Sequence, residues 1–274
     1  MRASRSPPMT TAICRRTLAV GFVAVLAGCA AAAPDDRLVT ARYAEPVDRY
    51  GHFALGRPHE YARLVATTDQ GRTVELSLPD DEVFEDVTPR IVRLAAGEPQ
   101  LVLAIVSARA SGSRLVLLGL QGGRLATAAQ SAPIGTPNRW LNPVGVADLD
   151  GDGRAEIAAV VTPHIGGTLK VYRREGAQLV EVAALAGFSN HAYGMAEQAL
   201  SMPTSMFGSS RLLVPSTDRE WLRVVALQGT RLVETGRCRL AAPVVGPMGP
   251  ANGVAVAVGL RSGTVRLGVD DCGG

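Results

Sequence analysis

The chain has 274 residues, 47% of them hydrophobic and 4% aromatic, which is enough apolar content for a sizeable core. Its formal net charge of +3 sits unevenly, because residues 1–28 hold Arg2, Arg5, Arg15 and Arg16 and no acid, so their removal turns +3 into −1. A near-neutral body with scattered charges and no basic cluster excludes nucleic acid as an expected partner.

The chain opens with Arg15-Arg16 and an apolar run from Leu18 to Leu26, too short to span a bilayer as a stable helix. The run ends in Leu26-Ala27-Gly28-Cys29, which resembles the lipobox of bacterial lipoproteins. That resemblance implies cleavage before Cys29 and acylation of its thiol. Cleavage after the alanine run at 30–33 is the alternative, and a start at Met9 would make the leader more compact. The lipobox reading divides the chain into a signal peptide over 1–28, a lipidated tether over 29–36 and a folded domain over 37–274. Ala30 stands where an aspartate would signal retention in the inner membrane. The expected location is therefore the cell envelope, lipid-anchored at the periplasmic face of the outer membrane. No later segment is apolar for long enough to cross a membrane.

Beyond the tether, short β runs alternate with Gly, Pro and Asp, without sustained helical periodicity. Runs such as Gln100-Leu-Val-Leu-Ala-Ile-Val, Glu156-Ile-Ala-Ala-Val-Val and Arg211-Leu-Leu-Val-Pro recur as second strands. Third strands follow at Ser113-Arg-Leu-Val-Leu-Leu, Thr168-Leu-Lys-Val-Tyr and Trp221-Leu-Arg-Val-Val, and fourth strands after Gly122-Gly123, Gly176 and Gly229. Four-strand units repeated at this spacing predict an all-β chain, a β-propeller of about five blades, with six if residues 52–87 conceal another. The last unit stops after its third strand, and the unassigned run Arg37–Tyr43 is expected to pair into it and close the ring, removing two sheet edges.

The most specific motif is Asp148-Leu-Asp-Gly-Asp-Gly-Arg-Ala-Glu156. It places Asp148, Asp150 and Asp152 at alternate positions, Gly153 at the sharp turn, the Arg154 carbonyl next and Glu156 after it. This oxygen-rich spacing suits a hard cation, and Ca²⁺ is the expected structural ligand. An EF-hand is excluded, since Ala159 replaces the required glutamate and a strand follows in place of a helix. The stretch Val144–Ile157 resembles the FG-GAP or VCBS repeat, including integrin-type calcium loops, which implies a propeller blade with one bound Ca²⁺. The turns at 94–99, 207–210 and 249–252 carry no acidic ladder, so a single metal site is expected.

On a propeller, Arg139, Trp140, Asn142, His164, Asn190 and His191 would gather on one rim as a candidate ligand site. Turn formation and backbone capping explain the same residues without a ligand. No nucleophile elbow, zinc-binding helix or phosphate-cradling glycine loop occurs. The leading expectation is a non-enzymatic, monomeric module binding an envelope protein or glycan; a hydrolase or lyase using a His164–His191 pair and a purely structural module are the alternatives. With Cys14 in the leader and Cys29 lipidated, Cys238 and Cys272 are expected to pair in an oxidising compartment.

Overall fold

Tyr43 shows how the first strand finds its place. The computed structural model describes residues 36–252 and 255–273. In it β1 (Leu38–Pro46) pairs antiparallel with β2 (Glu60–Thr68), with Ala41 opposite Ala66. Leu38 and Tyr43 point into the core, and the Tyr43 ring lies against Tyr61 and Phe84 at 5.4 and 5.2 Å between centroids. Its hydroxyl donates to the buried carboxylate of Asp86 at 2.8 Å. Burying a large ring while satisfying its hydroxyl fixes this strand beside its sequence neighbour.

The chain continues through β3 (Thr73–Ser77) and β4 (Glu82–Glu85) into an antiparallel meander of β5 (Arg90–Val92), β6 (Leu101–Ala108), β7 (Gly112–Gln121) and β8 (Arg124–Ser131). A second meander comprises β9 (Leu141–Ala147), β10 (Glu156–Val161), β11 (Gly167–Glu175) and β12 (Gln178–Phe188). A third comprises β13 (Met202–Thr204), β14 (Arg211–Pro215), β15 (Trp221–Gln228) and β16 (Arg231–Arg239). The last has three strands, β17 (Val244–Ala251), β18 (Ala255–Leu260) and β19 (Gly263–Gly268).

Local sequence explains the elements. β6 and β10 read as unbroken aliphatic runs because nearly every side chain in them is buried. β12 and β16 alternate, burying one face only. Gly122 and Gly123, at φ +56° and +78°, make the two-residue turn joining β7 to β8, where positive φ at both positions matches the twist of the strands.

The all-β expectation stands, but the propeller is overturned. The strands sort into three open sheets of twelve, four and three strands, not into five equal blades. β4 bridges β2 and β6, and a short parallel pairing of β8 with β12, Gln130 opposite Gln178 and Ser131 opposite Leu179, merges the first two meanders into the twelve-stranded sheet. The N-terminal run does not complete the last unit. It pairs with β2, and among the described residues β19 pairs with β18 alone. Among the described residues, four apolar clusters lie between consecutive groups of strands, and none joins β17–β19 to β1–β4. The ring is therefore not closed.

Cys238 on β16 and Cys272, beyond the 3-10 turn Val269–Asp271, form a disulfide with Cα atoms 4.3 Å apart. Both cysteines are buried in the cluster between the third and last meanders. No helix among the described residues is long and apolar enough to cross a membrane. Cys29, the leader and most of the tether lie outside the described residues, and the lipid anchor has no support in the fold.

Candidate functional site

The loop between β9 and β10 folds around its own acids. Asp148 accepts the Gly151 and Gly153 N–H groups at 2.7 and 2.9 Å, while Asp150 and Asp152 accept the Asp152 and Arg154 N–H groups at 3.2 and 2.8 Å. Glu156, at the start of β10, is fully buried and accepts the Leu149 N–H at 3.0 Å. Carboxylate oxygens of Asp148, Asp150 and Glu156 all lie within 4.8 Å of one another. Oxygen donors in that arrangement can chelate a divalent cation. Asp152, expected as a ligand, stands outside this group. Arg154 pairs through its backbone with Ala95 and through its guanidinium with Glu98 at 3.4 Å, tying the loop to the turn before β6.

The sequence gives no hint of the cation already present. Arg173 on β11 reaches Glu156 Oε1 at 2.7 Å and Asp150 Oδ2 at 2.5 Å. Hydrogen bonding to Glu156, ahead of the opposing effect of burial, raises the guanidinium above its ordinary pKa. A buried carboxylate needs such a partner, and the guanidinium supplies it.

The expected rim divides. Arg139, Trp140 and His164 line a cavity of about 160 Å³ together with His52, Thr162 and Tyr193. Asn142 and Asn190 do not reach it. Both are fully buried, and they bind each other's backbone: Asn142 Nδ2 donates to the Asn190 carbonyl at 3.1 Å, and Asn190 Nδ2 donates to the Asn142 carbonyl at 3.2 Å. Asn142 also donates to the Gln198 carbonyl at 2.9 Å and Asn190 to Ser201 Oγ at 3.0 Å, so this pair is a structural clasp.

His191 is also fully buried, behind His164, with His191 Nδ1 and His164 Nε2 2.7 Å apart. Burial is the main cause pushing His164 down to about 3 and His191 down to about 4. Both rings are therefore neutral near pH 7. The Met195 carbonyl lies 2.7 Å from His191 Nε2 and can only accept, so that nitrogen carries the proton. His191 Nδ1 is then a lone pair, His164 Nε2 must donate to it, and His164 Nδ1 is left as an acceptor. Trp140 stacks parallel to His164 at 5.9 Å and donates from Nε1 to the Glu85 carbonyl at 2.9 Å.

On the other side of the cavity, His52 Nδ1 lies 2.8 Å from Glu85 Oε1. Glu85 is fully buried and is also held by Ser107 Oγ at 2.7 Å and the Ala54 N–H at 3.2 Å. A carboxylate accepts, so His52 donates from Nδ1 and turns Nε2 away from it. Sequence reading missed His52, Glu85 and Tyr193 because they lie far apart in the chain and fit no spacing pattern.

No family model matches the chain, and no curated protein matches it. The resemblance to FG-GAP and VCBS repeats thus stops at the acidic loop and does not extend to a family. What the fold and sites define is an all-β protein of three open sheets with a carboxylate cluster and a histidine-lined cavity.

Proposed function

We propose that this chain is a divalent-cation-binding protein in which Ca²⁺, held in the loop between β9 and β10, fastens the twelve-stranded sheet. The convergence of Asp148, Asp150 and Glu156 oxygens carries the reading. An all-oxygen set on a turning loop suits the adaptable coordination of Ca²⁺ better than the strict octahedron of Mg²⁺. Asp152 and the Arg154 carbonyl are the further oxygens this loop offers. The role is binding and not catalysis, in keeping with a sequence that carries no catalytic motif. The Cys238–Cys272 disulfide supports an oxidising compartment such as the cell envelope.

Titration calorimetry on the full chain tests the reading. A single Ca²⁺ site is expected, with weaker Mg²⁺ binding and a melting temperature that rises with Ca²⁺ concentration by mass action. Glu156→Gln should weaken Ca²⁺ by about tenfold or more. No calcium heat together with an unchanged melting temperature refutes it.

A further inference from the structure

The cavity lined by His52 and His164 has features that neither the cation site nor the packing of the sheets requires. Two of its lining residues, Asn138 and Thr162, hold φ at +53° and +52°, and Phe53, next to His52, holds +50°. A β-branched threonine in the left-handed region is strained, and such strain gathers where a site is held in a working geometry. At the mouth, Ile165 and Tyr193 are 59% and 60% exposed, so an apolar rim surrounds a polar floor.

The chemistry of the floor narrows the ligand. The proton chain from Met195 through His191 leaves His164 Nδ1 as an acceptor with no partner among the described residues. His52 Nε2 has no hydrogen-bond partner among the described residues either. The nearby carboxylates are used: Glu85 by His52, Ala54 and Ser107, and Glu60 by the N–H groups of Gly51, His52 and Phe53. A cationic ligand would find no free carboxylate and would face Arg139 on the cavity wall. An anionic ligand would find Arg139 on the wall, but on the floor it would meet the His164 Nδ1 and His52 Nε2 lone pairs, which accept and cannot donate to it. What fits is a neutral molecule that donates hydrogen bonds and has an apolar face for an aromatic ring. The cavity volume of about 160 Å³ is below the range for drug-sized ligands, so the occupant is a single small ring.

We infer that this cavity binds one residue of a neutral saccharide, whose hydroxyls donate to His164 Nδ1 and His52 Nε2 while one face of its ring rests on Tyr193. Tyr193 is held for this by its own hydroxyl, which donates to the His52 carbonyl at 2.8 Å, and its ring stands perpendicular to His164 at 5.3 Å.

The test is nitrogen-detected NMR of the histidine rings in the full chain, titrated with the methyl glycosides of glucose, galactose, mannose and N-acetylglucosamine. Without sugar, His164 should show the tautomer protonated at Nε2. At least one glycoside should shift its Nδ1 resonance saturably. Tyr193→Ala, at an exposed position whose loss leaves the core intact, should weaken that binding by about tenfold or more. His164→Phe keeps the stacking on Trp140, removes the acceptor, and should weaken binding similarly. Acetate and methylammonium should give no saturable shift. The inference falls if His164 is protonated at Nδ1, if no glycoside shifts the resonance, if the charged probes bind in their place, or if binding survives both substitutions.

Discussion

Arg173 places its guanidinium between Asp150 and Glu156, 2.5 and 2.7 Å from one oxygen of each. The two acids come from the loop between β9 and β10 and from the start of β10, while the arginine comes from the paired strand β11. The cluster therefore has a resident positive charge, and a metal ion must compete with it or share it.

Arg173→Leu should accordingly have opposite effects with and without the ion. In chelator, the fully buried Glu156 loses its partner, and breaking a buried pair in this way costs about 3–5 kcal/mol. The low end of the range applies because the Arg173 side chain is 31% exposed. In Ca²⁺ the competitor is gone, so affinity should rise and the stability deficit shrink. Urea unfolding with and without Ca²⁺ checks both halves. Equal destabilisation in the two conditions would mean that the arginine alone satisfies the cluster.

The neutral histidines predict a pH dependence with a definite sign. His191 has a folded-state pKa of about 4 and His164 of about 3, both below the ordinary value of 6.5. Between those values the unfolded chain binds more protons, so stability is complete above pH 6.5 and is lost as pH falls. For the fully buried His191 the loss should approach about 1.4 kcal/mol per pH unit. The window from pH 6.5 to 5 is diagnostic, because most carboxylates titrate below it. Arg219 acts on His164 with the same sign, since its positive charge also disfavours protonation of the ring. Denaturant melts across this window should show the slope in the parent and a flatter line in His191→Phe.

Tyr43→Phe tests the placement of β1. The ring and its packing remain, but the buried Asp86 loses a hydrogen bond of 2.8 Å. A bond to a charged group is worth about 1.5–3 kcal/mol, and a loss of that size in urea unfolding is expected. Arg90, 2.8 Å from the same carboxylate oxygen, keeps the cost from rising further. A neutral result would show that β1 docks without this anchor.

The parts of the molecule that could be read from sequence are those decided within a few residues. Gly122-Gly123 specifies its turn by the positive φ it permits, and Glu156-Ile-Ala-Ala-Val-Val specifies a buried strand by its unbroken apolar run. The spacing of Asp148, Asp150 and Glu156 brings their oxygens together because a tight loop leaves them nowhere else to go. Tertiary structure decided what those elements pair with. Any β edge offers the same ladder of donors and acceptors, so the partner is chosen by which pairing buries side chains best. Leu38 and Tyr43 found that burial against β2 and Phe84, and β19 kept only β18 as its neighbour. The same non-local choice set His52 against Glu85, 33 residues away, and Arg173 against Glu156, 17 residues away. Neither contact is encoded in a spacing. Each exists because a carboxylate buried by the fold must have a donor, and the fold determines which side chain is close enough to supply it.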